Sequence, residues 1–383
     1  MIYANRMILS SCLPLIMDEF DLTYTVAGFL FTSYFYLYMA MQFPAGLLGD
    51  KFGRKKVLTI GTFLWSVVAF VTSLSRSFFE LFVYRALLGL THGTYFGNDR
   101  SIVASSTPKE KRGLGQAISL MGMGIGLSTG IIVGGYLAQV VGWRMAMAIL
   151  ALPGFLVVIM IVRVIREVKG GSQMRVGYGK AVSDWRLWIL YIIHALMLYP
   201  YWVLGSWTPK VFLEIGVKEL GTASVYSSFL GFSAIPGLLL LGSLSDVFES
   251  KGWGRKLLIS LSFISLALSL MLLGYAVEEG YILAASALVF MSGMFIWGLF
   301  ATLYSYVADI VSVEIYGSVF GLLNAIGFIS SLVAPPVTGF VRDVTGSFAW
   351  GFYVGGILAL LGCLVTFGIK KGANLLTPPT LPS

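Results

Sequence analysis

The sequence predicts an all-α membrane protein whose twelve transmembrane helices form two pseudo-symmetric six-helix bundles. Three observations predict this. The 383 residues are 57% hydrophobic and only 11% charged, with a mean hydropathy of +0.86, a balance far more apolar than a soluble domain requires. Apolar runs of spanning length recur along the whole chain. A loop pattern in the first half returns in the second.

In order, the apolar runs cover approximately 1–17, 26–48, 57–75, 78–105, 113–140, 143–163, 187–213, 220–244, 256–277, 280–307, 316–340 and 346–369. The first is short. Met1 opens directly into it without a cleavable signal, and 17 residues precede the acidic run Asp18, Glu19 and Asp21. At 1.5 Å per residue that is roughly 25 Å, against a hydrocarbon core of ~30 Å. The expectation is a first helix that lacks its beginning. The polar stretch 164–186, with Gly170, Gly171 and Ser172, is the longest connector. It divides an N-terminal bundle (1–163) from a C-terminal bundle (187–369), which a tail (370–383) follows.

Charge sets the orientation. The loops after even-numbered helices, with the tail, hold 18 Lys and Arg, and the opposite loops hold 4: Arg76, Arg144, Lys218 and Arg342. By the positive-inside rule the linker, tail and both termini are cytoplasmic, in a multi-pass protein of the cell membrane. The net charge of +8 is thus a topology signal and implies no nucleic-acid partner. Two cysteines, Cys12 and Cys363, and two histidines, His92 and His194, offer no metal-ligand spacing or disulfide framework. No metal or cofactor is expected, and no nucleophile–base pair suggests an enzyme.

The repeat lies in the loops. Gly46-Leu47-Leu48-Gly49-Asp50 returns as Gly242-Ser243-Leu244-Ser245-Asp246, offset by 196 residues, and Gly53-Arg54-Lys55 returns as Gly254-Arg255-Lys256, offset by 201. Glycine admits close helix approach, and Asp50 can brace the next helix end. Gly46, Asp50, Gly53 and Arg54, with Asp246 and Arg255, are the candidate gating-loop residues.

Arg6 is the most informative residue. It precedes Asp18 by 12 residues, about 18 Å along a helix, and so falls near the bilayer midplane. A midplane Arg faces a bundle interior or wet cavity, and its planar fork suits carboxylate or phosphate. The other reading is a structural Arg paired with an acid on another helix. On helix 4, a spacing of 100° per residue puts Arg85, His92, Phe96 and Asp99 within about 60° of one another. His92 and Asp99 are therefore proton-coupling candidates; the alternative is that His92 bonds a neighbouring helix and Asp99 neutralises Arg100 or Arg85. Tyr199, Tyr201, Trp202 and Trp207 cluster around Pro200, with Trp297 further on, either lining a site or packing. His194 reads as a satisfied interhelical residue, and Lys210 as a snorkelling one.

The segment Gly46-x-Leu48-x-Asp50-Lys51-x-Gly53-Arg54-Lys55 resembles the signature loop of the major facilitator superfamily, which implies that family's fold. Arg85 with Gly89 resembles a second superfamily motif. Gly122, Gly124, Gly126, Gly130, Gly134 and Gly135 resemble the glycine-rich helix 5 of antiporters, with Ile131 where those have proline; close helix packing is the plainer account. Tyr3-Ala4-Asn5-Arg6, then Tyr38 and Gln42, Gly97-Asn98-Asp99-Arg100 and Gly142-Trp143-Arg144 resemble the anion–cation symporters, notably galactonate and other sugar-acid permeases. That resemblance implies a substrate site of Arg6, Tyr3, Tyr38 and Asn324. Two departures stand out. Asn5 occupies the place of the acid before the Arg, and His92 that of a helix 4 Glu, although counting back from Arg100 gives Thr91.

The expectation is a monomeric, proton-coupled carrier of a small organic anion, a carboxylate or sugar acid. A proton-driven multidrug efflux antiporter is the alternative among transporters. A non-transporting receptor or membrane-embedded enzyme is the alternative outside them.

Overall fold

A computed structural model describes residues 1–95, 98–99, 102–103, 112–165, 167, 178–311 and 316–369. The described chain is helical almost throughout. Helices α1 (Ile2–Phe20), α2 (Tyr24–Phe52), α3 (Arg54–Thr72) and α4 (Phe78–Gly93) are followed by Arg112–Val164. Gly142, at φ 78°, divides that long segment into α5 (112–141) and α6 (143–164). A short helix, Tyr178–Ser183, leads to α7 (Trp185–Glu214). Then come α8 (Leu220–Ser250), α9 (Arg255–Glu278) and α10 (Ile282–Ile310). The limbs Tyr316–Gly327 and Ile329–Thr345 form α11, and Ala349–Phe367 forms α12.

By length and composition alone, eight helical segments among the described residues could cross a membrane, counting Met121–Val164 as one. Gly142 makes two spans of that segment. In α1, Arg6, Asp18 and Glu19 dilute an otherwise apolar helix. Two helices are less regular than their sequence predicts. Pro236 precedes a π-turn at Gly237–Leu241 in α8, where the missing proline N–H loosens the ladder. A turn at Phe328 interrupts α11.

Helix ends follow local chemistry. Thr23 Oγ1 accepts from Val26 N (3.3 Å) to cap α2, and Ser77 Oγ accepts from Glu80 N (3.2 Å) to cap α4. The repeated glycines are repeated in conformation. Gly53 (φ 99°) and Gly254 (φ 80°) turn the chain into α3 and α9, through backbone angles that a side chain resists. The next residues but one act alike. Lys55 Nζ donates to Val162 O at the end of α6 (2.8 Å), and Lys256 Nζ donates to Phe367 O (3.1 Å) and Ile369 O (2.6 Å) at the end of α12. Each lysine closes the last helix of its own half by satisfying orphan carbonyls.

Arg255 donates to Ser245 Oγ, Asp246 and Asp309 (2.6–2.8 Å). It clamps the α8–α9 turn onto α10. In the first half Arg54 is buried, while the Asp50 side chain lies outside the described residues.

The glycines of α5 have two partners. A Cβ at Gly130 or Gly134 would strike Ala4 or Ile8 of α1, and one at Gly126 would press on Tyr3. Cβ atoms at Gly124 and Gly135 would strike Gly231, Ala234 and Ser224 of α8. Close packing on both sides is what these small residues permit. Ser10 Oγ to Ser206 O (3.0 Å) and Ser128 Oγ to Ser228 O (2.9 Å) add bonds between the halves.

The halves are sealed at the end opposite the basic turns. Asp343 of α11 accepts from Tyr24 N (3.0 Å), Thr25 N (2.8 Å) and Thr25 Oγ1, satisfying orphan donors at the start of α2. Glu214 accepts from Tyr24 Oη (2.6 Å) and Arg342 Nε (2.9 Å). Gly28 lies against the Pro335–Pro336 backbone with no room for a Cβ. Nearby, Glu19 joins α1 to α6 by accepting from Trp143 Nε1 (2.8 Å) and both terminal nitrogens of Arg144 (2.7 and 2.6 Å).

Candidate functional site

Arg6 lies buried in α1 with its guanidinium among aromatic rings. Its Cζ is 4.7 Å from the Tyr3 ring centre, 4.8 Å from those of Tyr34 and Tyr38, and 5.6 Å from that of Phe35. Such faces favour a cation, and the i, i+4 spacing of Tyr34 and Tyr38 stacks their rings 5.3 Å apart on one side of α2. Arg6 Nη2 donates to Tyr34 Oη (2.8 Å). Its Nε and Nη1 are buried without a protein partner among the described residues. No carboxylate among those residues pairs with it. Among the described residues the structural-pair reading finds no partner acid.

Helix α4 holds this arrangement from behind. Arg85 donates to Asn5 O and Arg6 O (both 3.2 Å). One turn on, Gly89 meets the Tyr34 carbonyl so closely that a Cβ could not fit, and Gly93 meets Tyr38 O and Met41. The Arg85–Gly89 spacing thus fixes α4 to α1 by charge and to α2 by close approach.

His92 sits on the same face. Its Nδ1 is 2.9 Å from Tyr34 Oη, and its ring stands edge-on to Trp65 at 4.8 Å. The Tyr34 hydroxyl thus joins Arg6 to His92. The other ring nitrogen, Nε2, has no protein partner among the described residues.

Two cavities meet here. The smaller, about 200 Å³, is lined by Tyr3, Arg6, Tyr38, Trp65 and His92, among others. The larger, about 490 Å³, shares Tyr3, Tyr38 and Met123 with it and extends between the halves to Trp202, Trp297, Phe300, Asn324 and Phe328. It runs toward the basic-turn end, reaching Gln42, Met121, Leu239 and Ala308. Asn324 accepts from Tyr304 Oη (2.8 Å). Tyr201 Oη and Trp202 Nε1 have no protein partner among the described residues.

Tyr3 and Tyr38 line both cavities, Arg6 and His92 the smaller one and Asn324 the larger. α4 ends at Gly93 in a turn over Thr94 and Tyr95, between His92 and Asp99. Asp99 lines neither cavity. Phe96 and Arg100 lie outside the described residues. Asn5 is buried, and its Nδ2 has no protein partner among the described residues. The gating-loop candidates Gly46, Gly53, Arg54, Asp246 and Arg255 belong to the distant helix turns. His194 bonds Leu323 O (2.9 Å) through Nδ1 and so is interhelical, but its Nε2 has no protein partner among the described residues and it is not fully satisfied.

Sequence reasoning passed over Tyr34 and Tyr304. Tyr34 was one turn from Tyr38 on α2, a spacing that places both on one face. Among the described residues no cluster of three or more His, Cys, Asp or Glu could hold a metal.

A family profile described as Major Facilitator Superfamily matches residues 1–252 and 250–380. A probable sulfoacetate transporter of Cupriavidus necator is 26% identical, over 96% of this chain and 90% of its own. A hexuronate transporter of Bacillus subtilis is 23% identical, over 94% and 90%. A probable galactarate/D-glucarate transporter of Escherichia coli is 25% identical, over 94% and 89%. Among solved structures, a bacterial homolog of the human lysosomal transporter Spinster, inward-facing and occupied, superimposes with a TM-score of 0.80 at 16% identity, over 96% of this chain and 93% of the other. The D-xylose–proton symporter does so with a TM-score of 0.78 at 16% identity, over 96% and 94%.

Proposed function

The chain belongs to the Major Facilitator Superfamily of membrane transporters, and from that premise we propose a proton-coupled secondary carrier of a small organic anion. One observation carries the reading. A buried guanidinium, with no acid beside it and two nitrogens without a protein partner among the described residues, belongs to a residue that lines a cavity. A charge withdrawn from water needs a counter-charge and hydrogen-bond partners, and a bound carboxylate or sulfonate supplies both. Tyr3 and Tyr38 flank the anion, and Asn324 with Tyr304 faces it from the other half. Relatives described as a probable sulfoacetate transporter, a hexuronate transporter and a probable galactarate/D-glucarate transporter agree with an acidic solute.

The cavity reaches the basic-turn end while Asp343 and Glu214 seal the other. With the basic turns in the cytoplasm of a cell-membrane protein, this is an inward-facing state. Rocking of the halves about the central site exposes it to the other side. Both halves of one chain furnish the site, so a monomer suffices.

His92 is the proton site. Protonating it adds a cation to a compartment that no acid lines among the described residues, and a bound anion supplies the charge that offsets it. Proton and anion then bind together. Uptake into proteoliposomes tests this. Acidifying the outside should drive accumulation, Arg6→Gln should abolish it, and His92→Gln should leave exchange but no pH-driven accumulation. Uphill uptake that survives in His92→Gln with Asp99→Asn overturns the coupling.

The efflux reading draws support from the apolar walls of the larger cavity. It requires that Arg6→Ala leave transport of uncharged compounds nearly intact.

A further inference from the structure

We infer that the preferred solute is a monoanion with an apolar or aromatic body, an aryl or alkyl monocarboxylate or monosulfonate, rather than a polyhydroxylated diacid. This rests on the anion-carrier reading and narrows it.

The charges are the first reason. Arg6 and His92 both hydrogen-bond the single Tyr34 hydroxyl, at 2.8 and 2.9 Å, so the cationic groups share one compartment. Among the described residues the larger cavity is lined by no Lys, Arg, His, Asp or Glu. Among the described residues the site therefore offers a counter-charge at one end only. A diacid with its first carboxylate on Arg6 must place the second, at the far end of its chain, where nothing neutralises it. Burying an unpaired carboxylate is disfavoured once closure expels water.

The walls are the second reason. Trp202, Trp297, Phe300 and Phe328 enclose the larger cavity with Leu198 and Met123. Its polar groups, among them Gln42, Ser305 and Asn324, cover the smaller part of its surface, and the Asn324 side-chain oxygen already accepts from Tyr304. A chain of hydroxyls would exchange water for rings and leave several donors unmade. An aryl or alkyl body gains contact with every wall. Tyr201 Oη and Trp202 Nε1, both without protein partners among the described residues, leave room for one polar substituent on that body.

The test is calorimetric binding to the purified full chain at one pH and salt concentration, with phenylacetate, phenylacetamide, gluconate and glucarate as probes. Phenylacetate should bind about tenfold or more tighter than gluconate, and gluconate tighter than glucarate. Phenylacetamide should bind at least about tenfold more weakly than phenylacetate. Arg6→Gln should reduce the acid to the level of the amide. If gluconate or glucarate equals or exceeds phenylacetate while the Arg6 dependence persists, this inference falls and the anion reading stands. If the amide binds as tightly as the acid, or no acid binds, both fall. The acid–amide pair reads the charge requirement on the unaltered chain, so the outcome does not depend on whether Arg6→Gln folds.

Discussion

The two halves meet at the centre with opposite chemistry. The N-terminal half contributes two buried guanidiniums, a histidine and stacked tyrosines, while the C-terminal half contributes a wall of rings. The contrast is sharpest between the histidines. His194 bonds a backbone carbonyl, Leu323 O, and Gly327 leaves no space beside its ring for a Cβ. It is a packing element that ties α7 to α11. His92 instead bonds a hydroxyl that also receives Arg6 and lines a cavity, while the Nε2 of each ring has no protein partner among the described residues. Both are fully buried. Burial therefore does not separate a structural histidine from a functional one; the partner does.

The comparison can be broken most decisively at Arg6. Arg6→Gln should cost about 2–5 kcal/mol of anion binding, measured by calorimetry, because the guanidinium supplies the full charge that the anion meets. A loss confined to protein stability would reverse the assignment. The histidines give the next contrast. His92→Gln should abolish accumulation driven by acid outside, whereas His194→Gln should keep that pH response and lower the melting temperature. The opposite pattern would exchange their roles.

A smaller effect is expected at the shared hydroxyl. Tyr34→Phe removes the hydrogen bond joining Arg6 to His92 and should weaken anion affinity by about 1–3 kcal/mol. If Tyr34→Phe matches the parent in both affinity and pH response, the two groups act independently. The smallest change is expected far from the centre. Asp343→Asn weakens the cap on α2 by about 1 kcal/mol, which should raise the outward-open population. Cysteine labelling near Gly28 should then accelerate without loss of inward-facing affinity.

Much of the architecture was legible because membrane helices obey strong local rules. Apolar length marked the spans, and glycines at Gly53 and Gly254 marked two turns that demand left-handed backbone angles. Arg6 stood out because a cation in an apolar run needs a reason. The site was legible only in part. Tyr38 and Asn324 entered through resemblance, and Tyr34 was missed because a tyrosine in an apolar helix is ordinary until its partner is known. Of the two coupling candidates on helix 4, His92 lines a cavity and Asp99 lines neither one, a difference that rotation along an ideal helix does not register.

By itself the sequence determined the number of spans, the duplicated turns, the sidedness of charge and the presence of a buried cation. Each follows from hydropathy, backbone sterics or the cost of desolvating charge, which act within a few residues. Only the tertiary structure decided that Arg6 has no acid beside it among the described residues, that Tyr34 links it to His92, and that rings close the rest of the cavity. Those facts depend on which faces of α1, α2, α4, α7, α10 and α11 meet, and close packing of distant segments sets that choice.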